Sequence, residues 1–402
     1  MAVAPWVARQ VRRIALSDEL LWRPDMDDVS ARAVTRLLDG CVSNVRELVL
    51  DVAGDQVLVR GETVFDAAVM RFLASARLDR LTLWNAWSVA RLQPGLSRAI
   101  AQCRAAVVAL GGDHMSAEYQ DAGLFATSLA LNPHVQRLEV HPTDKHEVDM
   151  ERDIKSTLLS IFLRESTTLR RLHLGQVVSC NLAQPSWVSR YEQGCVLGEA
   201  FLWITGLTWR GAHKLTELSL HLNGDTVDID VFDAKLEGYL AEWAGDMESL
   251  SVSHLGITST LEWVTELAST SRLRTLHIGD SNFVNDLAQQ LEVACLGEMG
   301  QRLEVLSLPF AGTLGRSTWR LPRFLVALST CPRLRVLDLR GCMLGEEHAG
   351  SIAAMLDGLP GLAVLRLGAN PHLGTALPAV WRLPALCGLD LIGMGLTEDR
   401  AI

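Results

Sequence analysis

The sequence predicts an α/β solenoid: about thirteen strand–helix repeats, curved, with a parallel sheet lining the concave face. Three observations predict it. One short apolar hexad recurs along the chain at intervals of 24 to 46 residues. The segments between copies carry apolar residues three and four apart. Apolar residues make up 49% of the 402 and charged residues 21%, which suits a folded, core-forming chain rather than a disordered one.

The hexad reads apolar, two variable residues, apolar, one variable, apolar. Its middle apolar residues are Ile14, Leu48, Leu81, Val108, Leu138, Leu172, Leu218, Leu250, Leu276, Leu306, Leu337, Leu365 and Leu389. The last two apolar positions are two apart, the period of a strand with one buried face. A strand this short gains little alone. Stacked parallel on its neighbours it shares their hydrogen bonds and shelters its leucines in a common core.

The intervening segments predict helices. Residues 64–76, 158–163, 231–243, 261–268, 287–296 and 349–356 all repeat apolar side chains at helical spacing. Asp66, Asp230 and Thr258 stand near their starts as candidate caps. Parallel strands joined by helices define the α/β solenoid, read as one domain over residues 1–402.

Two copies carry a resemblance. LRVLDLRGCML has Cys342, and LAVLRLGANPHL has Asn370, after the strand. These resemble leucine-rich repeats, and the long helical repeats resemble the ribonuclease-inhibitor-like class. The resemblance implies that Cys342 and Asn370 satisfy backbone groups in the turn leaving the strand. Other copies depart from it, with Ala311 and Met394 at that position.

Irregularities mark candidate contact surfaces. The longest interval holds an enlarged repeat, residues 175–214, with an aromatic insertion. Trp203 and Trp209 read as core beneath it, Trp187 and Tyr191 as exposed anchors, since aromatics dominate binding hot spots. Trp84 and Trp87 after the third hexad read as turn packing or a sticky patch. Residues 392–402 read as a short C-terminal cap or a truncated repeat.

The residue between the last two apolar positions should project from the concave face. That row contains Glu139, His173, His277, Asp338, Arg366 and Asp390, the candidate partner-binding residues. Asp338, Arg366 and Asp390 fall on successive strands about 5 Å apart, within charge-pairing reach. They form either an ordinary ion-pair ladder or a charged docking patch. Arg46, Arg80, Arg137, Arg170, Arg171, Arg274 and Arg335, preceding the strand cores, are candidates for further polar contacts.

Composition excludes several classes. The net charge of −10 argues against a nucleic-acid partner. No run of eighteen apolar residues predicts a membrane span, and the N-terminus lacks the apolar stretch of a secretory signal. Eight cysteines at wide, irregular spacing, with no CxxC pair, read as small core residues of a chain in a reducing, intracellular, cytoplasmic setting. The acidic run at residues 141–155 and the histidines 173, 221, 254 and 277 lack ligand spacing, so no metal is expected. No phosphate-binding loop, HExxH, GxSxG or GxGxxG motif appears. No cofactor or small-molecule substrate is expected. The expectation is a non-catalytic protein–protein interaction scaffold or recognition module, a subunit of a larger assembly or an effector. The alternative is an enzyme regulator, such as a GTPase-activating protein of the ribonuclease-inhibitor-like class.

Overall fold

A computed structural model describes residues 10–16, 28–51, 64–84, 94–111, 125, 127–140, 165–177, 215–222, 244–253, 262–270, 272–279, 287–311, 314–315, 320–371, 373, 380 and 382–394. The chain divides into two compact units, Met1–Gly175 with Gly206–His213, and Gln176–Thr205 with Lys214–Ile402.

In the first unit, strands β1 (Arg13–Leu16), β2 (Glu47–Asp51), β3 (Arg77–Trp84), β4 (Arg104–Gly111), β5 (Arg137–Val140) and β6 (Arg171–Val177) pair in chain order, every pair parallel. Helices α1 (Asp28–Cys41), α2 (Val64–Ser75) and α3 (Pro94–Ala101) connect them. In the second unit, β7 (Glu217–Leu222), β8 (Ser249–Ser253), β9 (Thr275–Gly279), β10 (Val305–Ser307), β11 (Val336–Asp338), β12 (Val364–Arg366) and β13 (Gly388–Asp390) do the same. Its helices are α4 (Glu262–Thr270), α5 (Leu287–Leu296), α6 (Glu298–Arg302), α7 (Leu321–Ser329) and α8 (Ala349–Asp357). This is a leucine-rich-repeat-like α/β repeat solenoid.

The hexads supply every strand, and the register aligns them residue for residue. Ile14, Leu48, Leu81, Val108, Leu138 and Leu172 are successive partners in the first unit. Leu218, Leu250, Leu276, Leu306, Leu337, Leu365 and Leu389 are successive partners in the second. All are buried except Leu389. Each sheltered leucine contributes about 1.5–3 kcal/mol of apolar transfer. A one-residue slip would turn the whole set toward solvent, so the pattern fixes the register.

Two repeated turns close each strand. At the entry, one carbonyl accepts two consecutive N–H groups of the next repeat. Arg46 O receives Asp79 N and Arg80 N, and Glu304 O receives Arg335 N and Val336 N. At the exit in the second unit, rungs continue beyond β10–β13, from Leu308 N to Asp338 O and from Phe310 N to Arg340 O. The backbone then turns left-handed at Phe310, Gly341, Ala369 and Gly393, each four residues past its hexad's middle leucine. Glycine adopts that conformation without cost; Phe310 and Ala369 do not. Gly341 has a second reason to lack a side chain, because a Cβ there would overlap the Phe310 ring.

Helix expectations need correction at two points. Asp66 lies inside α2 rather than capping it. Helices α1, α3, α6 and α7 are additional to those the spacing predicted; α3 and α7 carry proline in their first turn, where its missing N–H costs nothing. Asp230 and Thr258 lie outside the described residues, as do the helices predicted at 158–163 and 231–243.

Candidate functional site

Strand alternation puts the residues one before, one after and three after each middle apolar position on the same sheet face, opposite the buried leucines. In the first unit the row of residues one before runs Arg13, Glu47, Arg80, Val107, Arg137, Arg171. The row one after runs Ala15, Val49, Thr82, Ala109, Glu139, His173. Glu139 is the centre of this face. It is buried, not projecting into solvent as its position in the hexad predicts, because two arginines lie over it. Arg80 Nη1 donates to Glu139 Oε1 at 3.0 Å and Nη2 donates to Oε2. Arg80 Nε also donates to Thr82 Oγ1 at 3.3 Å. Arg137 Nε stands 2.8 Å from Glu139 Oε1.

Arg80 is on β3 and Glu139 on β5, so the arginine side chain spans β4, across roughly 10 Å of sheet. The β4 residue in register with Thr82 and Glu139 is Ala109, which is fully covered. A small side chain there leaves the guanidinium room to cross. Nearby, Trp84 lies over Gly111, whose Cβ position is 2.6 Å from the indole ring. This is the turn-packing alternative for Trp84, although the ring remains 38% exposed.

The second unit has a different row. Ser219, Ser251, His277, Ser307, Asp338, Arg366 and Asp390 stand in register on successive strands. Asp338 is fully buried, again contrary to the expected solvent projection. Arg340 is the reason: its Nε reaches Oδ1 at 3.0 Å, its Nη2 reaches Oδ2 at 2.8 Å, and its backbone N–H donates to Oδ1 at 3.2 Å. Arg366 Nη1 adds a contact to Oδ2 at 3.4 Å, and Arg340 Nη1 lies 3.9 Å from Asp390 Oδ2. Burial alone would push the Asp338 carboxyl up; the Arg340 hydrogen bonds and charge, with Arg366, outweigh it and hold the group below its ordinary range.

His277 Nδ1 is 2.8 Å from Ser307 Oγ. Asp338 is Ser307's neighbour in register, but its oxygens are held by Arg340 and Arg366. His173 sits beside Glu139 on the adjacent strand. Trp187 and Tyr191 lie outside the described residues, as do Trp87, Trp203, Trp209 and His254. Among the described residues, no group of three or more His, Cys, Asp or Glu is arranged to hold a metal. Among the same residues, no helix is long and apolar enough to cross a membrane.

The two family-like turn residues behave as the resemblance implies. Asn370 is buried; Nδ2 donates to Leu339 O and Leu367 O at 2.8 Å, and Oδ1 accepts from Leu344 N at 3.0 Å. Cys342 Sγ donates to Leu308 O at 3.0 Å, and burial pushes its thiol up to about 12. Sequence reasoning missed Asn132, which does the same work at the strand entry. Its Nδ2 donates to Ala101 O and Cys103 O at 2.8 Å, joining two repeats. The available signal was its place three residues before Val135, matching Cys331 before Leu334. Cys41, Cys103, Cys295, Cys331 and Cys342 are buried thiols as expected; Cys387 is exposed.

No family model matches the chain, and no curated protein does. Among solved structures, the chain is similar to a leucine-rich-repeat protein of Leptospira interrogans at 12% identity and a TM-score of 0.28, over 96% of this chain and 97% of that one. The fold assignment here stands on the strand register and the Asn370 and Cys342 turns.

Proposed function

We propose that the polar sheet faces bind a protein partner, and that the chain is a non-catalytic interaction scaffold or recognition module. One observation carries this reading. Along successive strands of each unit, side chains of fixed spacing are held by their neighbours rather than left to search rotamers, as in Arg80–Glu139–Arg137 and Arg340–Asp338–Arg366. Ordered polar groups on a rigid sheet lose little side-chain entropy on binding. Repeats of this length with helical returns favour the ribonuclease-inhibitor-like class, and buried free thiols favour a reducing, cytoplasmic setting. A subunit of a larger assembly and a delivered effector share this physics. So does a regulator of an enzyme, such as a GTPase activator. Trp187 and Tyr191 extend the proposed surface.

Photo-crosslinking tests the proposal. A photoreactive residue placed at Ser251 on the polar face, and separately at Val326 on α7, is expected to capture a discrete polypeptide from native extract only at Ser251. Equal capture at both positions, or none under several conditions, contradicts it.

A further inference from the structure

Two of the buried thiols meet. Cys295 is the penultimate residue of α5, and Cys331 lies two residues beyond α7. These helices pack side by side in successive repeats, joined at the surface by Arg323 Nε, 3.1 Å from Glu292 Oε1. Their ends bring the sulfurs together: the Cys295 thiol donates a hydrogen bond to the Cys331 sulfur. Cys331 Sγ also lies 3.9 Å from Ala327 O. Both backbones are held. A Cβ on Gly300 would overlap the Cys295 carbonyl, so the turn into α6 is closed tightly against it. Cys331 N–H donates to Leu328 O at 3.0 Å, and Cys331 O accepts from Leu334 N at 3.3 Å.

Other buried thiols behave differently. Burial raises Cys41 and pushes Cys103 and Cys342 up to about 12, which makes them poor nucleophiles. Cys331 is buried too, yet its thiol is held below the ordinary value, because the hydrogen bond from Cys295 stabilises the thiolate against the cost of burial. The same bond, with burial, raises Cys295. The pair thus divides into a thiolate and a neighbour that keeps its proton, which are the parts of an attacking and a resolving thiol. Each also lies one residue beneath the surface: Leu296 is exposed beside Cys295, and Thr330 and Pro332 beside Cys331. Fraying of the two helix ends gives a small oxidant its path.

We infer that Cys295 and Cys331 are a peroxide-responsive pair, which hydrogen peroxide converts into a disulfide fastening two successive repeats. The Cys331 thiolate attacks a peroxide oxygen; the S–O bond forms, the O–O bond breaks, and the departing hydroxide takes up the proton Cys331 had released. The Cys295 sulfur then attacks the sulfur of the Cys331 sulfenic acid. The S–S bond forms, the S–O bond breaks, and the oxygen leaves as water with the Cys295 proton. Two thiols give up two electrons and two protons, and one hydrogen peroxide becomes two waters. The new bond closes a loop from residue 295 to residue 331 that contains α6, β10 and α7, and so restricts the unfolded chain. In a reducing compartment such bonds are transient and redox-sensing. The pair works whether or not the polar faces bind a protein.

The test treats the full chain with hydrogen peroxide, alkylates it under denaturing conditions and maps it by non-reducing peptide mass spectrometry. A linked Cys295–Cys331 peptide pair, lighter by two hydrogens and separated by dithiothreitol, is the expected product, and the oxidised chain should melt higher than the reduced one. Cys331→Ala should slow the loss of the Cys295 thiol by about tenfold or more, since the attacking thiolate is gone. Cys295→Ala should leave Cys331 as a sulfenic acid that dimedone traps. If either variant fails to fold, isotope-coded maleimide applied to the parent chain decides, because both thiols must then disappear in equal proportion. Unequal loss overturns the pairing, and so do free Cys295 and Cys331 after treatment or disulfides that take in Cys387 instead. A linked chain that melts no higher than the reduced one overturns the fastening of the repeats.

Discussion

Each unit buries an acid one residue after a hexad's middle leucine, and the two cover it differently. In the first, Glu139 receives Arg80 from two strands away, across Ala109. In the second, Asp338 receives Arg340 from two residues along its own chain, and Arg366 from the adjacent strand. The long-range clamp crosses an intervening strand; the local cluster is completed by Asp390, 3.9 Å from Arg340. A buried carboxylate thus says little by itself about the surface above it. What matters is where its partners originate and whether anything else neutralises them.

The contrast predicts unequal damage. Arg80→Ala is expected to destabilise by about 3 kcal/mol, because it removes both of the arginine's donors to a buried acid. Arg366→Ala should cost about 1 kcal/mol or less, because Arg340 still holds both oxygens of Asp338. Chemical denaturation of both variants measures the difference, and equal losses would erase the distinction.

The turns offer a second contrast at similar scale. Asn132→Ala and Asn370→Ala each strand buried carbonyls and are expected to cost about 2–3 kcal/mol. Urea midpoints should fall in both variants with unchanged slopes.

The buried acid of the second unit also makes its stability sensitive to pH. Asp338 sits below its ordinary value of 3.8 in the folded state. Its contribution to stability is complete above that value and is lost as pH falls through the lower folded value. Asp338→Asn should therefore flatten the decline in stability below about pH 4 relative to the parent chain, as read by unfolding at each pH. An identical acid slope in the variant would remove Asp338 as its source.

The smallest effect concerns the left-handed turns. Ala369→Gly relieves a strained φ of 56°, against the extra chain entropy glycine brings to the unfolded state. A gain of about 0.5 kcal/mol or less is expected in thermal unfolding, whereas Gly341→Ala should be destabilising because its Cβ would meet Phe310.

The strands were legible in the sequence because the hexad is redundant: thirteen copies constrain one another, so weak members such as Val108 fall into register with strong ones such as Leu81 and Leu138. Cys342 and Asn370 were legible for the same reason, through their place after the strand. The burial of Glu139 was not, because it depends on Arg80, 59 residues away, reaching over an intervening strand. Arg80, Arg137 and Glu139 were each named from the sequence, yet only the register puts them on one face together. The left-handed turns were half legible: Gly341 and Gly393 advertise them, while Phe310 and Ala369 give no sign. The short helices α3 and α7 escaped because their prolines read as breaks rather than first turns.

The account turns most on the clamp across Ala109. A double-mutant cycle between Arg80→Ala and Glu139→Gln, measured by denaturant unfolding, tests it directly. A coupling of about 2 kcal/mol between residues two strands apart is the expected result. Additivity within about 0.5 kcal/mol would contradict it.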